Sequence, residues 1–139
     1  MKSTIEELET KGRAVKAAAH RLACLSTDIK NNALHTIADN LLARKAIILA
    51  ANQADCKEAE ASDMSAVMLD RLMLNENRLE AITKDVRSVA ALPDPVGETF
   101  DVHTLPNGLQ ISKRRVPLGV IGAIYESRPN VTIDISVLC

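Results

Sequence analysis

Val116-Pro117-Leu118-Gly119-Val120-Ile121-Gly122-Ala123-Ile124-Tyr125-Glu126-Ser127-Arg128-Pro129-Asn130-Val131-Thr132 is the stretch on which the reading of this 139-residue chain turns. Its first half is apolar and glycine-spaced, the pattern of a buried strand. Its second half is a dense polar turn, after which an apolar run begins again. A strand that empties into such a turn is how α/β folds offer backbone and side chains to a ligand. The fold class expected is therefore α/β.

Working outward, the chain divides by grammar. All five prolines (Pro93, Pro95, Pro106, Pro117 and Pro129) and every glycine except Gly12 lie after residue 92. Helices are expected before that point, strands and turns after it. Ser3 or Thr4 caps a first helix, with Glu6 or Glu7 completing a capping box. Ile5, Leu8, Val15, Ala18, Leu22 and Leu25 follow at helical spacing. Ser26-Thr27-Asp28 starts a second, longer helix bearing Ile29, Leu34, Ile37, Leu41, Ile48 and Ala51, which ends among the polar residues 52–63. A short helix over 66–73 comes next, and Asn75 caps a further one striped by Leu79, Ile82, Val86 and Val89.

Leu92-Pro93-Asp94-Pro95-Val96-Gly97 stops the helices, because proline cannot continue them. Phe100, Val102 and Thr104 then alternate with Asp101 and His103, and Leu109 and Ile111 with Gln110 and Ser112. Pro106-Asn107-Gly108 lies between, with positive φ open to both Asn107 and Gly108. The segment reads as a β-hairpin. A two-stranded hairpin is marginal alone and needs a surface to lie on, such as another subunit.

Composition excludes several classes. The net charge is -1, and aromatic residues are only 1% of the chain, namely Phe100 and Tyr125. Neither a basic footprint nor a stacking platform for nucleic acid is present. The apolar run from Ala46 to Ala51 is far too short to span a membrane, and the acidic amphipathic start is no targeting signal. Cys24, Cys56 and Cys139 lack metal-ligand spacing and suit a reducing, cytoplasmic compartment. His20, His35 and His103 are scattered, so no metal is expected.

For the chemistry, Gly119-Val120-Ile121-Gly122 is half of a dinucleotide fingerprint, or simply a place of close strand–helix packing. The following turn gathers a carboxylate, a hydroxyl, a guanidinium and an amide. Arg128 suits a bidentate fork on a carboxylate or phosphate. Asn130 suits donation to a developing oxyanion, or a helix cap. Cys139 ends an apolar run and is expected to be a buried structural thiol. Lys113-Arg114-Arg115 reads as a solvated face.

The whole stretch from Val116 to Thr132 resembles the signature at the first Rossmann strand of the γ-glutamyl phosphate reductases, a branch of the aldehyde dehydrogenase superfamily. Asp70-Arg71-Leu72-Met73-Leu74 and Leu92-Pro93-Asp94-Pro95-Val96-Gly97 agree with it. The resemblance implies an aldehyde dehydrogenase-like fold and an oxidoreductase of proline biosynthesis. In that family NADPH reduces γ-glutamyl phosphate to glutamate 5-semialdehyde with release of phosphate. A cysteine nucleophile displaces the phosphate, and it lies well downstream of Cys139. The implied site residues are Ile124, Tyr125, Glu126 and Ser127 for cofactor binding. Asn130 is then the catalytic oxyanion donor and Arg128 binds the substrate, although the two compete for the oxyanion place.

On this reading the chain is an N-terminal fragment, inactive alone, of a cytoplasmic enzyme that forms a homo-oligomer when full length. Residues 1–92 form a helical region, 93–116 a hairpin of the oligomerisation type, and 117–139 the start of a truncated Rossmann-like cofactor domain. The implied partner is a small-molecule substrate, with neither nucleic acid nor membrane. The alternative is a self-contained helical interaction module without catalysis, which predicts cooperative, monomeric unfolding and no nucleotide binding, whereas the fragment reading predicts an exposed apolar strand edge and patch.

Overall fold

A computed structural model describes residues 4–126 and 128–139; the expected cap at Ser3 and the site residue Ser127 lie outside them. The described residues form helices α1 (Thr4–Leu22), α2 (Thr27–Ala43), α3 (Lys45–Ala61), α4 (Ala66–Leu72), α5 (Glu76–Ala90) and α6 (Pro129–Leu138). Strands β1 (Thr99–Thr104) and β2 (Gln110–Arg114) make the one antiparallel sheet among them. Two compact units emerge: Met1–Ser26 with Pro93–Ile121, and Thr27–Leu92 with Gly122–Cys139.

The second unit holds the core, and α5 is its centre. Asn75 accepts the Arg78 amide at 2.8 Å and starts α5 as expected from its cap. Leu79, Ile82, Thr83, Val86 and Ala90 are buried on one stripe, at the three- and four-residue spacing that keeps side chains on one helix face. Val86 packs with Ala38 of α2 and Val137 of α6, surrounded by Leu34, Ile37, Leu41, Val89 and Ile133. Ala38 is fully buried, and so small a side chain lets α2 lie close to α5. The buried Thr83 hydroxyl donates to the Leu79 carbonyl at 2.9 Å. Arg87 of α5 pairs with Asp39 of α2 at 2.6 Å, an exposed bridge of small energetic weight.

The long second helix of the sequence reading is two helices. Arg44, with ψ of 14°, departs from helical geometry and separates α2 from α3. The i→i−4 bonds continue across it, from Arg44 to Asn40 and from Ile48 to Arg44, so the apolar periodicity is barely disturbed. The hydrophobic pattern carried no sign of the break for that reason. α3 then runs through the polar stretch to Ala61 because Asn52 and Ala59 turn inward.

Asn52 makes the principal polar contact of this unit. It is 5% exposed; its amide donates to the Leu72 carbonyl at 2.9 Å and its carbonyl accepts the Leu74 amide at 2.6 Å. The connection between α4 and α5 is thereby bonded like a strand edge to one side chain.

In the first unit, α1 buries nothing and carries the surface pairs Lys11–Glu7 and Arg13–Glu9. It ends at Leu22, short of the expected Leu25, and Thr4 stands inside the helix rather than capping it.

The hairpin forms, with a different register from simple alternation. Phe100 faces Lys113, while His103 faces Ile111, so the ladder is interrupted between them. Asp101 sits there at φ 54°, a left-handed conformation that aspartate tolerates better than most residues. Phe100 and His103 consequently share a face, since their partners Lys113 and Ile111 lie two residues apart. In the turn only Gly108 takes a positive φ, not Asn107, whose side chain instead accepts the Leu109 amide at 3.1 Å. The basic run is not merely solvated: Lys113 pairs with Asp101 and Arg115 with Glu98, and the Arg115 guanidinium lies 5.2 Å from the Phe100 ring centre.

Residues 116–126 carry no strand, because a strand takes its hydrogen bonds from a neighbour and none pairs with them among the described residues. Gly119 holds a φ of 95°, which a side chain would strain, whereas neither Gly119 nor Gly122 is closely approached. Close strand–helix packing at these glycines is therefore not observed. Leu118 and Ile124 are almost wholly exposed.

Replacing Asn52 with Ala strands a carbonyl and an amide, and is expected to cost roughly 2–4 kcal/mol in urea unfolding. The adjacent exposed Gln53→Ala should change stability by less than about 0.5 kcal/mol.

Candidate functional site

A cleft of about 370 Å³ opens in the second unit between α4, α5 and the first residues of α6. α4 contributes Asp70 and Arg71. α5 contributes Arg78, Ala81, Ile82 and Asp85, whose spacing sets them on one helix face. The start of α6 contributes Asn130 and its cap residue Arg128.

Each wall has a local cause. α4 is short, and its terminal carbonyls need partners. Arg78 supplies them: one guanidinium nitrogen donates to the Met73 carbonyl at 2.8 Å and to the Asp70 carbonyl, and the other meets the Asp70 carboxylate at 2.7 Å. With Asn52 holding Leu72 and Leu74, the strip from Asp70 to Leu74 is fastened from two sides. α6 starts at Pro129, whose fixed φ suits a first helical position. Arg128 occupies the cap position and its side chain makes no capping bond, so the positive end of the helix borders the cleft without a side-chain cap.

Asn130 is consequently not the cap. It sits one residue inside α6, and its amide donates to Asp134 at 3.0 Å. A primary amide has two N–H donors, and this contact uses one.

The charges of the cleft sort by partner. Asp70 and Arg78 neutralise each other. Among the described residues, the side-chain hydrogen-bond contact of Arg71 is with the Met68 sulfur, at 4.0 Å. Arg128 and Asp85 form no ion pair or side-chain hydrogen bond among the described residues. Two guanidinium groups and one carboxylate therefore face the cleft unneutralised.

The structure brings Arg128 and Asn130 together, as the turn suggested. Ile124, Tyr125 and Glu126 are not in the cleft wall. Ile124 is fully exposed, and the Tyr125 hydroxyl is 2.7 Å from the Thr132 hydroxyl on α6. Arg71 belongs to a stretch that the family resemblance singled out without giving it a role. Asp85 carried no sequence signal, being one polar residue among many on α5.

No thiol lines the cleft. Cys139 is exposed at the end of α6, against the expected burial, and Cys24 is exposed as well. Cys56 is half-buried; that burial, then the carboxylates of Glu60 and Asp55, push its thiol above the ordinary range. Its sulfur lies 3.7 Å from the Asn52 side-chain oxygen. Among the described residues no group of three His, Cys, Asp or Glu could hold a metal ion, and no helix is long and apolar enough to cross a membrane.

Comparison with known proteins finds similarity to γ-glutamyl phosphate reductases. A γ-glutamyl phosphate reductase of Chloroflexus aggregans is 59% identical over 133 residues, covering 96% of this chain and 32% of the relative. One of Dehalococcoides mccartyi is 55% identical over all 139 residues, covering 33% of the relative. The fold agrees with that of the crystal structure of γ-glutamyl phosphate reductase from Thermotoga maritima. The TM-score is 0.91 at 41% identity, covering 95% of this chain and 32% of that one. The Saccharomyces cerevisiae enzyme matches with a TM-score of 0.88 at 29% identity, over 99% and 34% of the two chains. No protein-family model matches. The chain thus spans about a third of the length of the γ-glutamyl phosphate reductases it resembles. The resemblance to γ-glutamyl phosphate reductases is borne out for the chain as a whole.

The thiols give a direct check on the local environments. Alkylation by iodoacetamide at neutral pH, mapped by mass spectrometry, should modify Cys24 and Cys139 well before Cys56, whose reactive thiolate is disfavoured. Equal rates at all three would contradict the packing around Asn52.

Proposed function

We propose that the full-length protein carrying this segment catalyses NADPH-dependent reduction of γ-glutamyl phosphate to glutamate 5-semialdehyde, releasing phosphate, in proline biosynthesis. The observation that carries the reading is the 55–59% identity to γ-glutamyl phosphate reductases along essentially the whole chain.

Within this reading Arg128 forks onto an anionic group of the substrate. The second N–H of Asn130 donates to the acyl oxygen as negative charge develops on it, while Asp134 holds the first N–H and fixes the amide. On the family resemblance, the nucleophile is a cysteine elsewhere in the full-length protein.

The backbone before the turn suits a dinucleotide. Gly119 and Gly122 leave open space where a side chain would stand, and Ile124 and Tyr125 present uncovered apolar surface. Ile124, Tyr125, Glu126 and Ser127 would hold the cofactor, Ser127 on family resemblance alone. The dinucleotide supplies the hydride.

The hairpin fits a homo-oligomer contact, since every residue of both strands is exposed, Phe100, Val102 and Ile111 included. A cytoplasmic location and the division into a helical region (1–92), a hairpin (93–116) and a cofactor-domain start (117–139) complete the proposal.

The full-length protein should reduce NADP⁺ with glutamate 5-semialdehyde only when phosphate is present; phosphate-independent or absent turnover would remove the assignment. Asn130→Ala should lower kcat by roughly 10²–10³. Arg128→Lys should raise KM for the substrate while leaving KM for NADP⁺ unchanged, since only the fork geometry is lost. A normal rate in the asparagine variant would return Asn130 to a purely structural part in α6.

A further inference from the structure

The unneutralised charges of the cleft have a composition of their own. Arg71 and Arg128 are two cations without carboxylate partners among the described residues, and Asp85 is one anion without a cationic one. The Asp70–Arg78 pair does not count, because its members already satisfy each other and the α4 carbonyls. A ligand complementary to what remains carries two anionic groups and one cationic group. At about 370 Å³ the cleft is of a size for a small metabolite.

Resting on the activity proposed above, we infer that Arg71 and Asp85 recognise the amino-acid end of the substrate. Asp85 takes the α-ammonium, and Arg71 shares with Arg128 the two anionic groups, the α-carboxylate and the phosphate-bearing end. A γ-glutamyl acyl phosphate carries this set of charges. A simple dicarboxylic acyl phosphate lacks the ammonium, and Asp85 would then repel it.

The supporting positions suit such a task. Arg71 projects from α4 one residue beyond Asp70, which the Arg78 guanidinium clamps to α5. The backbone after it is held by Asn52. A recognition cation is thus mounted on a fixed strip, with its own guanidinium left available. Asp85 lies on the same α5 face as Arg78 and two turns further on, so the structural and the recognition charges of that helix are separate. Opposite charges that are free in the cleft exchange water for ligand on binding, and a charged hydrogen bond is then worth about ten- to a hundredfold in affinity.

The test uses the full-length protein with L-glutamate and glutarate, which differ only by the α-ammonium, and reads affinity by titration calorimetry. The wild type should prefer L-glutamate by about tenfold or more. Asp85→Asn, isosteric and exposed, should abolish that preference and leave glutarate bound as well as before or better. Arg71→Gln should weaken both ligands about tenfold or more, with partial rescue by Arg71→Lys. An unchanged preference in the Asp85 variant, no effect of Arg71→Gln, or wild-type binding of neither ligand overturns the inference. Because titration needs no turnover, failure of the phosphate-dependent reduction assay strikes the proposed activity, while these outcomes strike the amino-acid recognition.

Discussion

The side-chain amide of Asn52 is the contact on which the architecture around the cleft depends. A buried carboxamide must find partners for its donors and its acceptor, and here both partners are backbone groups of one short connection. α3 and the α4–α5 link are thereby held in one relative position that apolar packing alone would leave free to slide. Apolar contacts are non-directional, whereas this pair of bonds has one geometry. Everything mounted on that link, from Asp70 to Asn75, inherits its position. Asn75 then starts α5, and α5 supplies the stripe on which α2 and α6 assemble.

The parts of this unit that were legible in the sequence are those fixed by local chemistry. Asn75 reads as a cap and serves as one, because the bond from Arg78 spans only three residues. The stripe Leu79, Ile82, Val86 reads as buried and is buried, because burial follows from helical period alone. Arg44 was illegible: a single residue with ψ near zero interrupts a helix while the hydrogen bonds and the apolar period run through it. The bulge at Asp101 was hidden for a related reason. Alternating residues announce a strand, but register depends on the partner strand, and one extra residue moves His103 onto the face of Phe100. In Val116–Tyr125 the pattern proclaims a strand whose hydrogen-bonding neighbours are not among the described residues.

The same distinction governs the cleft. Arg128 and Asn130 were found because they share one turn, two residues apart. Arg71 and Asp85 come from two other helices, and only tertiary packing brings them to that turn. Asp85 in particular looks like any solvated residue on the outer face of an amphipathic helix. What marks it is that, among the described residues, it forms no ion pair in a place lined by three arginines. Cys139 shows the converse error: its apolar neighbours suggested burial, yet of the last helical turn only Val137 faces the core.

Three arginines in one small cleft would ordinarily repel one another and raise the cost of folding. The structure divides that cost between two uses. One guanidinium, Arg78, is spent on backbone carbonyls and on Asp70, where it closes α4 and carries no net charge into the cleft. The other two stay exposed to water, where mutual repulsion is weak. Their charge would become costly if solvent were excluded, as it would be by the anionic ligand inferred above. The positive end of α6 adds to the same preference, while Asp85 offsets part of it. A cleft so arranged is stable when open to water, and on the inference above it would select a ligand of opposite charge pattern. Asn130 follows the same logic on a smaller scale. Its bond to Asp134 gives up one donor so that the other is held in a fixed direction beside Arg128.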